Sequence, residues 1–411
     1  MTPCHDNDVV DSQSLNRLNK DLVWVLLSLL WACTNTNTTP PEELAVELGS
    51  DLYVGAAVVD EEIQDGKVST WTFTEEGRTG CMRGAPFQMS TRDMGSEDLV
   101  IFLQGGGACW TDFCLAVTEA PAGVPTVDIL NADLADNPVA SWNIVYVPYC
   151  DGSMFTGDRD HDEDGDGEPD RFHRGLANLS AALDVAKAQF PKPKRILFSG
   201  SSGGGFGALL NTPLVRHYYP DATLFVVTDG AVGVARGASD PGFVERLMYE
   251  FDADNLLPAD CTHCIENGHV TRLVDWYLAR DPEVRFGVFS SWYDLIIGNV
   301  FLDIPPADLR DAIASETGRT HEAFPDRYRR FIIDGRMHTT LLGNATGIIG
   351  TNLGAVELPP AIFSQLSEME IGSLSETHTG DLMFKDWLKA MLDQDPEIWI
   401  DTLEEPGPVP E

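Results

Sequence analysis

Arg195-Ile196-Leu197-Phe198-Ser199-Gly200-Ser201-Ser202-Gly203-Gly204-Gly205-Phe206-Gly207-Ala208-Leu209-Leu210 decides how this chain is read. Three apolar residues in a row, Ile196-Leu197-Phe198, suit a strand buried on both faces, and the glycines that follow allow a turn too tight for side chains. Phe206, Leu209 and Leu210 then resume at helical spacing. Within the turn, Gly200-Ser201-Ser202-Gly203-Gly204 fits G-x-S-x-G, the strand-to-helix elbow that lifts one serine hydroxyl clear of a sheet. On that frame Ser202 is the nucleophile, Ser201 points elsewhere and Ser199 lies too early.

Working outward, the same strand and helix rhythm recurs. Leu99-Val100-Ile101-Phe102-Leu103 and Trp142-Asn143-Ile144-Val145-Tyr146-Val147 read as strands buried on both faces, as do Thr223 to Asp229 and Val284 to Ser290, with a later strand from Tyr328 to Asp334. Leu176, Leu179, Leu183 and Ala186 mark a helix over 175–190 that Pro191 and Pro193 stop, a second helix runs near 270–279, and a last amphipathic one spans 381–392. Ser69-Thr70-Trp71-Thr72-Phe73-Thr74 alternates like a half-buried antiparallel strand at a sheet edge. The pattern predicts an α/β fold, a mainly parallel central sheet with helices on both faces, in one domain over 46–411. Ligand sites in such sheets gather beyond the carboxyl ends of the strands.

Candidate residues lie at those ends. A serine hydroxyl needs a histidine to take its proton and a carboxylate to orient that histidine. Asp294, in Ser291-Trp292-Tyr293-Asp294, follows one strand and is the candidate acid, with Asp229 as its rival. His338 follows another and is the candidate base, with His378 as the alternative, better suited to capping the last helix. His173, His217 and His263 read as surface or loop histidines. The order Ser202, Asp294, His338 is the one α/β-hydrolases use. Gly105-Gly106-Gly107 after the Leu99 strand exposes backbone N–H groups, so Gly106 and Gly107, with Gly203, are the expected oxyanion donors.

Composition narrows the function further. The 411 residues carry 65 acidic against 27 basic side chains, a formal charge of −38, which disfavours nucleic acid and anionic membranes as partners and sits awkwardly with a polyanionic substrate. With 43% hydrophobic residues, nine tryptophans and nineteen phenylalanines, the chain can bury a large core. Leu22 to Ala32 is an apolar run after Arg17 and Lys20, short for a membrane span and apt for a signal-peptide core. Leu30-Trp31-Ala32-Cys33 resembles a bacterial lipobox, so Cys33 is the expected lipid anchor and residues 1–45 are set aside as leader and tether. Six further cysteines suit disulfides in an exported protein; Cys109 with Cys114, Cys261 with Cys264 and, by elimination, Cys81 with Cys150 is the favoured set among fifteen pairings.

An acidic insertion at about 157–171 contains Asp162, Asp164 and Asp166 before Gly167, the opening of a calcium loop, with Asp170 in reach; His173 stands where the usual closing glutamate would be. A structural calcium is the expectation there, and no organic or metal cofactor is expected in the chemistry.

Four blocks carry a specific resemblance to the pectin acetylesterase and Notum family of carboxylesterases. Ile101 to Cys109 resembles the family's oxyanion loop, Val147-Pro148-Tyr149-Cys150-Asp151-Gly152 its tyrosine-cysteine block, Gly200 to Gly204 its elbow, and Trp292-Tyr293-Asp294 its acid loop. A looser match surrounds His338, and the likeness runs from about Cys81 to Trp387. Gln104 and Ala108 stand where the family commonly has glutamate and tryptophan. The resemblance implies an α/β-hydrolase fold, the Ser202, Asp294, His338 triad and hydrolysis of acyl esters. The expected substrate is an acetylated polysaccharide such as pectin, acted on by an exported monomer. A Notum-like deacylase of lipid-modified protein and an inactive surface protein binding calcium or carbohydrate are the alternatives.

Overall fold

The computed structural model describes residues 39–342 and 360–410. The leader, its apolar run and Cys33 lie outside the described residues. Pro40–Glu411 forms one compact unit. Its first turn, Pro41–Glu43, runs into helix α1 (Leu44–Leu48), which buries Leu44, Ala45 and Leu48 in the core. This compact unit takes in residues 40–45, with Leu44 and Ala45 in its core after Glu42 and Glu43.

Sixteen strands are described, in chain order β1 (Val59–Asp65), β2 (Val68–Phe73), β3 (Gln88–Arg92), β4 (Asp98–Leu103), β5 (Gly107–Trp110), β6 (Phe113–Ala116), β7 (Asn143–Val147), β8 (Arg159–His161), β9 (Arg171–His173), β10 (Arg195–Ser201), β11 (Thr223–Asp229), β12 (Arg285–Ser291), β13 (Tyr328–Ile333), β14 (His378–Thr379), β15 (Leu382–Met383) and β16 (Thr402–Leu403). Ten of them make one sheet in the order β1-β2-β3-β7-β4-β10-β11-β12-β13-β16. From β7 to β16 every pairing is parallel, whereas β1, β2 and β3 add on antiparallel. Helices α2 (Gly175–Gln189), α3 (Gly203–Leu210), α4 (Thr212–Tyr218), α5 (Phe243–Phe251), α6 (Arg272–Arg280) and α7 (Phe384–Asp393) accompany it.

Period-two alternation sends each central strand's side chains into two separate cores. Leu99, Ile101 and Leu103 of β4 join Ile196 and Phe198 of β10 in a core that also takes Leu176, Leu179 and Leu183 of α2. Val100, Phe102, Leu197, Phe225 and Phe331 point the other way, onto Phe384, Trp387, Leu388 and Met391 of α7. Helices thus cover both faces. Each of Leu99 to Leu103 is fully buried, and at about 1.5–3 kcal/mol per large apolar side chain such a strand gains on the order of 10 kcal/mol from a central position. β1, reading Val-Asp-Glu-Glu-Ile-Gln-Asp and exposed along its length, has nothing comparable to bury and takes the edge. The edge expected at 69–74 is therefore one strand in: β2 does alternate, with Trp71 and Phe73 buried, but pairs with both β1 and β3. A charged outer strand also discourages pairing with another sheet.

Three disulfides join Cys81 to Cys150, Cys109 to Cys114 and Cys261 to Cys264, the pairing favoured from the spacing. Cys109 and Cys114 face each other across the β5–β6 hairpin, directly after the glycine triplet.

Candidate active site

The chemistry begins at the β10–α3 turn. Ser202 adopts φ 54°, ψ −123°, a conformation that side chains avoid and that is held here by its surroundings. A Cβ on Gly200 would lie 2.3 Å from the Gly204 carbonyl oxygen, and one on Gly204 only 2.1 Å from that of Leu103, so the turn closes only with glycine at both positions. The three serines part as the motif predicts. Ser199 is buried and donates to the Val227 carbonyl, Ser201 is buried and donates to Asp229 Oδ2, and Ser202 alone faces a cleft.

Asp294 and His338 come together from strand ends β12 and β13. His338 Nδ1 sits 2.9 Å from Asp294 Oδ2 and 3.1 Å from Oδ1, with both side chains buried. The N–H groups of Ile296 and Ile297 each donate to Asp294 Oδ1 at 3.0 Å, which anchors the carboxylate. A carboxylate on Nδ1 keeps the proton there and leaves Nε2 as the basic nitrogen. Gly230, at φ +67°, packs beneath the ring; a Cβ there would come within 3.2 Å of His338 Cε1. Ser202 N–H donates to the carbonyl of the preceding residue, Asp229, at 2.7 Å, so nucleophile and imidazole flank the Asp229-Gly230 step.

The alternatives fall elsewhere. His378 is exposed in β14, its Nδ1 3.2 Å from the Gly380 carbonyl. Asp229 does not meet the imidazole nitrogen; its carboxylate receives Ser201 Oγ and the N–H groups of Thr340 and Leu341. Burial pushes its pKa up to about 6, against the pull of those donors. His173 is corrected from a loop residue to a core one: it is fully buried in β9 between His161 and Phe251, and burial pushes its pKa down to about 2.

Gly105, Gly106 and Gly107 leave β4 toward the elbow. A Cβ on Gly105 would stand 3.1 Å from Ser202 Cβ, one on Gly106 2.5 Å from the Tyr149 ring, and one on Gly203 2.7 Å from the Gly107 carbonyl oxygen. Only bare backbone allows these approaches, and Gly107, Ser202 and Gly203 line the same cleft. Val117 N–H donates to the Gly106 carbonyl at 2.8 Å, which makes Gly107, opposite Ala116, a non-hydrogen-bonded position whose N–H the hairpin does not use. Gln104, buried, accepts the Tyr149 N–H at 3.1 Å and so braces the loop rather than meeting substrate.

An apolar cleft, open to solvent, runs from Gly107, Ser202 and Gly203 between α5 and the turn of π-helix Ile296–Leu302. Phe206, Trp110, Phe243, Val244, Leu247, Met248, Ile297, Phe301 and Leu302 line it, with Ala108 near the mouth. Ser202 is the single hydroxyl or ionisable group among the described lining residues. Neither α5 nor the π-helical turn carries a sequence motif that advertises this wall; only the apolar face of α5, Phe243, Val244, Leu247 and Met248, was there to be read.

Residues 404–407 bond to the segments that precede Asp294 and His338. Trp292 Nε1 donates to the Glu404 carbonyl and Tyr293 Oη to that of Gly407, each at 2.7 Å, while Asp334 N–H donates to Glu404 Oε2 and Gly407 N–H to Asp334 Oδ1. Away from the cleft, carboxylate oxygens of Asp162, Asp164 and Asp166 converge within 4.8 Å at the exposed tip of the β8–β9 hairpin. Asp170 is turned aside, accepting the Glu163 N–H.

The pectinacetylesterase family model matches residues 74–234. The chain is 33% identical to pectin acetylesterase 4 of Arabidopsis thaliana over 149 residues, 33% of this chain and 36% of that one. It is 26% identical to palmitoleoyl-protein carboxylesterase notum2 of Xenopus laevis over 213 residues, 48% of this chain and 41% of the relative. The chain is similar to the pectin acetylesterases and the Notum carboxylesterases. It spans well under half the length of these curated relatives. The Wnt deacylase Notum from Drosophila shares its fold, with a TM-score of 0.55 and 16% identity over 79% of this chain and 92% of that one. The fold class is thus an α/β-hydrolase-like one. The pectinacetylesterase match takes in the glycine triplet, Tyr149, Cys150 and Ser202 but ends before Asp294 and His338, whose pairing rests on geometry.

Proposed function

We propose that the protein is an exported serine carboxylesterase whose acyl group is an apolar chain longer than acetyl. The observation that carries the acyl class is the apolar cleft that opens on Ser202. Similarity to pectin acetylesterases and to palmitoleoyl-protein carboxylesterases supports acyl-ester hydrolysis. The wall supports the longer chain over the acetyl group, since a cleft lined by aromatic and aliphatic side chains rewards methylenes that acetyl does not have. A charge of −38 also weighs against a polyanion such as pectin.

In this mechanism His338 Nε2 takes the Ser202 proton as Oγ attacks the ester carbonyl. Asp294 holds the ring and stabilises the imidazolium. The N–H groups of Gly107 and Gly203, with Gly106, meet the oxyanion, aided by Gly203 lying in the first turn of α3. The imidazolium gives its proton to the departing alkoxide. Water, deprotonated by His338, then attacks the acyl-Ser202 ester, and as the carboxylic acid leaves the imidazolium returns that proton to Ser202 Oγ. No step draws on a metal or an organic cofactor. Three disulfides support residence in an oxidising compartment.

The test is hydrolysis of 4-nitrophenyl octanoate together with labelling by a fluorophosphonate, in wild type and Ser202→Ala. Wild type should turn over the ester and label at Ser202, and the variant should do neither, with kcat lower by about 10³-fold or more. Turnover or labelling surviving in Ser202→Ala refutes the assignment.

A further inference from the structure

Asp229 is fully buried, ionisable and not used by the chemistry above. Its four acceptor contacts divide between two catalytic segments. Toward the elbow, Oδ2 receives Ser201 Oγ at 2.5 Å and the backbone carbonyl receives Ser202 N–H at 2.7 Å. Toward the base loop, Oδ1 receives Thr340 N–H at 2.8 Å and Oδ2 receives Leu341 N–H at 2.9 Å, two and three residues beyond His338. Among the described side-chain hydrogen bonds, no other residue joins the two segments.

We propose that Asp229 is a positioning residue that keeps the Ser202 turn and the His338 loop in register, acting through Ser201, Thr340 and Leu341 without touching substrate. The proposal rests on the serine-esterase reading. Ser202 and His338 come from different strand ends, and the Asp229 carboxylate bonds to the chain beside each of them. A carboxylate offers acceptor sites on both oxygens at once, which neither an apolar residue nor a carboxamide supplies. Ser202 also holds a positive φ, and the Asp229 carbonyl is the acceptor that fixes its N–H in that conformation. Misplacing reacting atoms by about 1 Å lowers turnover on the order of 10²-fold, so a tie of this kind acts on kcat.

The experiment compares wild type with Asp229→Asn and Ser201→Ala, measuring kcat and KM on 4-nitrophenyl octanoate per active site titrated with the fluorophosphonate. In Asp229→Asn the amide N–H₂ replaces one acceptor and faces a donor. The expected result is a kcat per titrated site lower by fivefold or more, KM within threefold of wild type, and a fluorophosphonate labelling rate lower in proportion. A merely structural residue would reduce the number of titratable sites and leave turnover per site alone. A drop smaller than fivefold per site, or a change confined to KM, overturns the tie. If Asp229→Asn does not give a cooperative melt, Ser201→Ala, which cuts only the elbow arm, decides by the same thresholds. Wild type that fails to label would instead sink the esterase reading, and the tie with it.

Discussion

Ala108 is the sharpest handle on the acyl group that the proposed esterase would take. It lines the cleft next to Gly107 and is almost fully buried, so a larger side chain there takes up room in the cleft. From acetyl to octanoyl an ester gains six methylenes, and each one removed from water is worth about 0.8 kcal/mol, or about 5 kcal/mol in all. Ordering the chain and imperfect contact take back roughly half. About 2.4 kcal/mol remains, a preference on the order of 60-fold in kcat/KM for octanoyl over acetyl esters. In Ala108→Trp a side chain that itself fills roughly 150–250 Å² of contact surface takes the room that the methylenes would use. The variant should bring the octanoyl-to-acetyl ratio to within about threefold of unity while kcat/KM for the acetyl ester stays within about threefold of wild type. The assay is a 4-nitrophenyl ester series from acetyl to palmitoyl, on both proteins, below critical micelle concentrations. Wild type that prefers acetyl to octanoyl refutes the reasoning outright, because the cleft would then contribute nothing to the transition state.

Two further outcomes concern stability. Arg216 and Asp281 form a buried ion pair at 2.7 Å, with Arg216 Nη1 also donating to the Ala222 carbonyl at the same distance. Arg216→Met strands the Asp281 carboxylate in the interior, at a cost of about 3–5 kcal/mol, and should lower the melting temperature by about 5 °C or more; a melt within 1 °C of wild type contradicts this. Asp128 has its pKa raised from an ordinary 3.8 to about 6 by burial, with Asp229 and Glu376 reinforcing the shift and the Leu374 N–H opposing it. A carboxyl group whose pKa is raised on folding binds its proton more tightly in the native state, so its charge destabilises the fold increasingly as pH rises from about 4 to 6. The gap is about 3 kcal/mol, and about 1–2 once discounted for the solvent that reaches this half-buried group. Asp128→Asn should therefore gain about 1–2 kcal/mol at pH 7 and lose that gain near pH 4 by chemical denaturation; a gain that does not change with pH points to the residue's positive φ of 37° instead.

The parallel core of the fold was readable because its strands are buried on both faces and so are written as unbroken apolar runs: Leu99–Leu103, Ile196–Phe198 and Leu224–Val227 all sit where the runs place them. β1 was not, since an exposed edge strand of Asp and Glu carries no hydrophobic period to detect. The short hairpins β5–β6 and β8–β9 were missed for a related reason: each is fixed by contacts from distant segments, such as Glu250 receiving both the N–H and the hydroxyl of Thr111. At the site, Ser202 and the glycines are local features, legible because a tight turn leaves its demands in adjacent residues. Asp229 and Asp294 each sit after or at a strand end and look alike in sequence; what separates them is which one the His338 ring meets, a fact of the sheet's register across β11, β12 and β13. The cleft is the least legible feature, assembled from residues more than a hundred positions apart.

The segment at 404–407 has a practical side. By its helices alone the domain looks finished at α7, although β16 still follows in the central sheet, and protein engineers commonly cut or fuse just past a last helix. Here that would leave the indole N–H of Trp292 and the hydroxyl of Tyr293 without the carbonyls of Glu404 and Gly407, directly before Asp294 in the chain. Each orphaned donor is worth about 1–3 kcal/mol if it stays buried. A tag or partner domain joined there would therefore act as an unintended dial on turnover, and a well-folded but sluggish fusion protein would be its symptom.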